Sequence, residues 1–457
     1  MVRALLAGLL VAQTLIVPLT GARNRSIAAP SLFHTLFHDF FLEDDGTTYV
    51  QTGDIPAMWL RDSSAQTLPY LRFETDYPLL RTRFTGVIER DARAIDKDVY
   101  ANAFQADYHM WERKWEVDSI AWPVMLAYSY YRVAHDRSIF TPNLHVALRQ
   151  IVYTYTCEEH HSRCSHYVYP HHVYTDNTYN EASGLIWGAF RPSDDAVQYR
   201  FNIPQNMIAA VALRDIVYLA REGYGDETLA RDAQATSARV TTAVQRYGLF
   251  YDAQRGVRMY AYETDGYGHY NLMDDANLPN LTTMPNIGWV SAYDPDYLNT
   301  RAFALSTSNP WYFSGRYAAG LGSPHTPYGY VWPLGIIGRA LTSTDDNEIE
   351  TSVTTLAETD SESGLIHESF YPDGYWRHTR QEFGWANALY AELLFRTLAG
   401  YPPALKFYGG TMLPYQIPWR TPALVSRVAQ LENAADLVHT LGELLYEGRA
   451  AAINQAP

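Results

Sequence analysis

Helical periodicity dominates this chain after its first sixty residues. Apolar positions recur at helical spacing in SIAWPVMLAYSYYRVAHD from Ser119, LHVALRQIVYTYT from Leu144, NMIAAVALRDIVYLARE from Asn206 and ETLARDAQATSARVTTAVQRYG from Glu227. LNTRAFALSTS, WPLGIIGRALTS, EIETSVTTLAETD and FGWANALYAELLFRTLAG continue the series toward the C-terminus. Between them lie loops rich in Gly, Pro, Asp and Tyr, such as YNEASGLIWGAFRPSDDA and YETDGYGHYNLMDDANLPN. Strand-like alternation is scarce and short, so a β/α barrel lacks its strands. No sharp short-period repeat supports a solenoid. About a dozen helices joined by alternately short and long loops instead imply paired helices closed into a toroid, an all-α fold. No Gly/Ser linker or charge run divides it, so we expect a single catalytic-sized domain.

Composition narrows the partner. Lys+Arg number 35 and Asp+Glu 50, a formal charge of −15, and a field of that sign opposes nucleic acid. With 47% hydrophobic and 19% charged residues, the chain buries a large core. Tyr 36, Trp 11 and Phe 17 make it 14% aromatic. Such flat amphipathic rings fill a core, and they also pack on the apolar faces of sugars while their edges bond hydroxyls.

Residues 1–22, MVRALLAGLLVAQTLIVPLTGA, follow the basic, apolar and small-residue order of a signal peptide. The apolar run is short for a membrane span, and an uncleaved N-terminal anchor is the alternative. The expected destination is the secretory pathway, with secretion, wall association and Golgi residence all compatible. Asn24-Arg25-Ser26 and Asn280-Leu281-Thr282 match the glycosylation sequon. Cys157 and Cys164 are the only cysteines, and in an oxidising compartment they pair locally. A small metal cluster with His160, His161 and His166 is the rival, though its spacing matches no recognised zinc motif.

Carboxylates in aromatic surroundings carry the chemistry. GDIPAMWLRDSSAQ, residues 53–66, sets Asp54, Arg61 and Asp62 among hydroxyls and an indole, with little helical pattern before Ser63. Arg61 and Asp62 offer a sugar one donor fork and one acceptor, the Arg keeping the Asp ionised, or else form a cap and a buried ion pair. Glu116 and Asp118 in WERKWEVDS read equally as hydroxyl acceptors and as the first-turn acids of the next helix, with Asp118 its cap. Adjacent Asp194 and Asp195 in RPSDD repel, which raises one pKa as a general acid requires; an Asx cap is the alternative. Glu368, between His367 and Ser369, suits a general base, and Glu382 is its rival. Asp274, Asp275, Asn277, His325 and Trp332 are further pocket-lining candidates. Walker A, G-x-S-x-G and H-E-x-x-H motifs are missing, which leaves carboxylate chemistry on glycosidic bonds.

These segments resemble glycoside hydrolase family 125, a family of exo-acting α-1,6-mannosidases. The resemblance rests on TGDIPAMWLRDSSAQ, WERKWEVDS, YNEASGLIWGAFRPSDDA, NIPQNM, MDDANLPNL, GSPHTPYGYVWPLGI and SGLIHESFYPDGYWRHTR followed by FGWANALYAELL. It implies an (α/α)6 toroid of six helical hairpins over residues 23–415, and the helical pattern beyond it reads as an appended tail over 416–457. It also implies inverting hydrolysis of an α-mannoside without metal or other cofactor, and no obligate protein partner. The family's acid falls in RPSDD, where the resemblance favours Asp195 over Asp194, and its base falls on Glu368. Arg61, Asp62, Glu116, Asp118 and His367 would then grip the terminal mannose. Glu382 and Gly384 depart from the larger apolar residues of bacterial relatives. Another α-glycoside preference and a silent mannose-binding protein are the competing readings.

Overall fold

The structure is a computed structural model that describes residues 34–73, 78–170, 178–360 and 363–398. The 1–22 segment, the Asn24 sequon and the 416–457 tail lie outside the described residues. Ten helices of eight residues or more carry the fold among the described residues. They are α1 (Leu60–Thr67), α2 (Pro78–Lys97), α3 (Ala121–Ala134), α4 (Pro142–Glu158) and α5 (Ile203–Leu219). The rest are α6 (Glu227–Tyr247), α7 (Pro295–Ala304), α8 (Pro333–Leu341), α9 (Asp346–Glu358) and α10 (Gly384–Leu398).

Local chemistry sets many of the starts. The side chains of Thr141, Asn202, Asp226, Asp294 and Asp345 each accept a backbone N–H at the head of α4, α5, α6, α7 and α9. Proline occupies the first turn of α4, α5, α7 and α8, where its missing N–H costs nothing.

Burial separates two layers. In α6 the buried residues Leu229, Ala230, Ala233, Ser237, Val240 and Val244 form one stripe, the pattern of an outer helix. In α3 every residue from Ala121 to Tyr131 is buried, the pattern of an inner one. Inner helices α10, α1, α3 and α5 pack side by side, and α8 closes on α10. Outer helices pair with them as α5 with α6 and α8 with α9, while α2 packs on α4.

Between α5 and α8 the sixth inner position holds turns, not a helix. Pro279 and Pro285 interrupt this segment, and Asp274 takes over its N–H groups, accepting from Leu281 N at 2.9 Å and Thr282 N at 2.9 Å. Arg214 of α5 donates to Gly288 O at 3.3 Å, and Thr342 after α8 donates to Thr282 O at 3.2 Å, so the turns bridge both neighbours.

Two expectations change. The helix of the GDIPAMWLRD segment begins at Leu60, not near Ser63. All eight residues of α1 are buried, so its sequence shows no polar-apolar contrast. The Asn280 sequon is wholly buried, and its Nδ2 donates to Asp275 O at 2.7 Å, which leaves no room for a glycan there. Cys157 and Cys164 are disulfide-bonded, with Cα atoms 5.3 Å apart. Among the described residues six small antiparallel sheets decorate the loops, and their longest strand, Gly374–Thr379, has six residues.

Candidate active site

At one end of the inner ring a cleft of ≈ 210 Å³ opens, lined by α1, α10 and the long loops. Arg61, Asp62, Asp194, Asn277, His325, Trp332 and Glu368 face it, as sequence reasoning proposed. Thr52, Ile55, Trp59, Arg380, Phe383 and Trp385 complete the wall together with Pro192 and Ser193.

The floor is an ion cluster centred on Arg61. Its Nη1 donates to Glu116 Oε2 at 2.6 Å and lies 3.5 Å from Asp118 Oδ2, while Nη2 lies 3.8 Å from Asp194 Oδ1. Glu116 and Asp118 are fully buried behind the arginine, so they act through it. Neither caps α3. The main-chain oxygen of Asp118 accepts from Ala121 N and Trp122 N, while its carboxylate takes Gln205 Nε2 at 2.6 Å. Asp62 also departs from expectation: burial pushes its carboxyl up to about 6, against the pull of Arg61. The ion pair, at 3.3 Å from Arg61 Nε, lacks hydrogen-bond geometry, because the guanidinium is aimed at Glu116.

Asn102 holds three carboxylates together and was invisible to motif reading. Its Nδ2 lies 2.9 Å from Glu112 Oε2, 3.2 Å from Asp194 Oδ1 and 3.3 Å from Glu116 Oε1. Its Oδ1 accepts from Lys114 N at 3.0 Å, which fixes the amide orientation. Burial, together with the Asp194 carboxylate, pushes Glu116 well above the usual range in spite of Arg61. Burial pushes Asp194 up too, but the bond from Glu116 and the charges of Lys114, Arg61 and His325 reverse that and hold it low. The raised pKa expected of the Asp194–Asp195 pair is therefore not on Asp194. Its φ of 68° turns the chain sharply, so the two neighbours diverge.

Asp195 is not part of the lining. Its Oδ2 accepts from Ser193 Oγ at 2.9 Å, and Oδ1 lies 3.6 Å from Nδ1 of His325, which does face the cleft. Burial pushes the His325 imidazolium down, but Asp195, Asp194 and Glu368 reverse this and hold it up at about 9.

Glu368 also lines the cleft, just before the hairpin Ser369–Tyr371 and Gly374–Thr379. Arg380 Nη1 lies 3.5 Å from its Oε1, and Arg380 Nε donates to Asp54 Oδ1 at 2.7 Å. Asp54 is thus placed at the rim, orienting Arg380. Among the described residues no hydrogen bond is made to the Glu368 carboxylate, which leaves it open to a water. His367 does not reach the cleft. Its Nδ1 contacts Gln381 O at 3.0 Å and its Nε2 contacts Asp360 O at 2.9 Å, so both ring nitrogens serve the backbone. The rival base Glu382 also lies off the cleft, bonded to His34 at 2.6 Å. Trp332 Nε1 donates to Thr326 Oγ1 at 2.8 Å, and Asn277 Nδ2 to Asp275 Oδ1 at 3.0 Å, which orients both at the wall. The buried pair Asp274 and Asp275 braces the turns behind them.

A helical toroid with carboxylates lining an aromatic cleft is the framework of the six-hairpin glycoside hydrolases. Residues 29–395 match the metal-independent α-mannosidases of glycoside hydrolase family 125, and the chain belongs to that family. An α-mannosidase from Streptococcus pneumoniae, solved in a non-productive complex with α-1,6-mannobiose, is 34% identical. It superposes with a TM-score of 0.77 over 81% of this chain and 92% of its own. The meiotically up-regulated gene 157 protein of Schizosaccharomyces pombe is 34% identical over 403 residues, covering 79% of this chain and 78% of that protein. Hormoconis resinae glucoamylase, at 13% identity and a TM-score of 0.53 over 93% of this chain and 79% of its own, shares the fold.

Proposed function

We propose that this α-mannosidase is exo-acting and removes non-reducing terminal α-1,6-linked mannose from mannosides, N-glycans or mannan, with inversion. The observation that carries this reading is the cleft itself. Glu368, with Arg380 beside it at 3.5 Å, lines the cleft together with Asp194 of the RPSDD loop and the buried Arg61 and Trp385. A cleft of ≈ 210 Å³ with buried side chains in its lining suits the end of a glycan. The α-1,6-mannobiose bound by the 34% identical relative supports the linkage.

In this mechanism Glu368 takes a proton from water as the water oxygen bonds to C1 of the terminal mannose. The C1–O6 bond breaks, and Asp195 protonates the departing oxygen. Inversion needs the two carboxyls ~6.5–9.5 Å apart so that water fits between substrate and base. The resemblance favours Asp195 for this step, and Asp194, the RPSDD carboxylate that itself lines the cleft, is the competing acid. Arg61 and Asp62 present a donor and an acceptor to the sugar on the floor.

The 1–22 segment and the Cys157–Cys164 bridge together support an oxidising, secretory location. The decisive experiment is NMR of purified protein acting on α-1,6-mannobiose with chelator present. We expect β-mannose at the first time points. The α-anomer first would refute inversion, and no cleavage alongside turnover of another α-glycoside would refute the linkage.

A further inference from the structure

Glu382 is taken up by neither the cleft nor the chemistry above, and its surroundings are unusual. His34, Asp39 and Glu382 each direct one ligand atom inward, and these atoms lie within 4.8 Å of one another. His34 Nε2 is 2.6 Å from Glu382 Oε1. Asp39 is 2% exposed, and its Oδ2 is buried without a hydrogen-bond partner. A buried carboxylate oxygen left unpaired in a protein interior is costly, and such groups are ordinarily satisfied by a donor or a cation.

The backbone is wound to make this cluster. Thr35–Asp39 forms a π-helical turn, with i→i+5 bonding. Five α-helical steps of about 100° would leave positions 34 and 39 about 140° apart. The wider π turn returns them to one face. Such turns are rare and are frequent at functional sites. The opposite side comes from the start of α10, more than three hundred residues later. Thr35 Oγ1 donates to Gly384 O at 3.1 Å, and a Cβ at Gly384 would stand 2.8 Å from Asp39 Oδ2. Gly384 thus leaves room for the Asp39 carboxylate beside Glu382.

We propose that His34, Asp39 and Glu382 form a structural site for a divalent transition-metal ion, stapling the N-terminal turn to the strand-to-helix loop behind the cleft. One imidazole nitrogen with two carboxylate oxygens is a donor set suited to Zn²⁺. Arg380, the nearby cation, is committed to Asp54, to Thr52 O and to Glu368, so it does not fill this role. Glu382 sits between Arg380 and Phe383, which both line the cleft, so a bound ion would stiffen that wall without touching substrate. The site is compatible with a metal-independent reaction.

The test is calorimetric titration of the chelator-stripped full chain with zinc chloride, alongside His34→Gln and Glu382→Gln. Both substitutions fall on partly exposed side chains and spare the buried Asp39. The proposal predicts that wild type takes up one more equivalent than either variant, and that zinc raises the Tm of wild type alone. Equal stoichiometry in all three proteins overturns it, as does an equal Tm shift in all three. Weak binding at surface histidines such as His160 appears in every protein and cancels in the comparison.

Discussion

The two walls of the cleft are built on opposite principles. On the floor, Arg61 meets the buried Glu116, Asp118 and Asp62 and the partly buried Asp194, with Asn102 bonding to Asp194 and Gln205 to Asp118. By contrast, Glu368 has a single guanidinium at 3.5 Å and an otherwise open carboxylate. A cluster held by several buried charges is stiff and suits holding a sugar in one pose, because movement breaks charge-assisted bonds. A group that must move a proton needs the reverse, a free lone pair aimed at water. Binding and chemistry therefore make separable demands on stability.

Substitution separates them most sharply at Glu368. Glu368→Gln keeps the shape and removes the proposed base, so kcat should fall by about 10²–10⁴-fold, the usual contribution of a general base. Tm and mannoside affinity should stay near wild type, since the lost group supports little structure. Asp195→Asn should lose turnover in the same way, whereas Asp194→Asn should chiefly raise KM. Stopped assays on α-1,6-mannobiose with parallel melts decide this, and an active Asp195→Asn would transfer the acid role to Asp194.

Arg61→Met should behave oppositely. Removing one partner from a buried ion cluster typically costs about 3–5 kcal/mol, because the remaining carboxylates are left uncompensated. Denaturant unfolding should show that loss directly, with activity falling alongside it. If Arg61→Met melted like wild type, the floor would be no more than a binding surface and the contrast would fail.

Much of this architecture was legible because outer helices such as α6 show one polar and one apolar face. Helix α1 was not, since a wholly buried helix has no contrast to read. The sixth inner position looked like loop and is loop, held by Asp274 in place of a helix ladder. Within the site, motif chemistry found Arg61, Glu368 and the RPSDD loop, but adjacency misled at His367. Neighbours in extended chain point to opposite sides, so His367 faces Gln381 O and Asp360 O while Glu368 faces the cleft. Asn102 and Arg380 gave no local signal at all. Their roles come from contacts such as Asn102–Asp194, across 92 residues, and Arg380–Asp54, across 326.

His325 marks where the two walls meet, and it gives the smallest effect and the finest test. Its imidazolium is held at about 9 by Asp195, Asp194 and Glu368, carboxylates from both sides of the cleft. A folded-state value above the unfolded 6.5 means that the charged form is favoured by folding. That contribution is fully present below pH 6.5 and is lost as pH rises through about 9. Wild-type Tm should therefore fall across this window by more than that of His325→Gln, in which no proton is released there. The side chain is 36% exposed, so solvent screening keeps the difference modest. Parallel melting curves for the two proteins would detach His325 from the carboxylates of both walls, and set it among ordinary surface histidines.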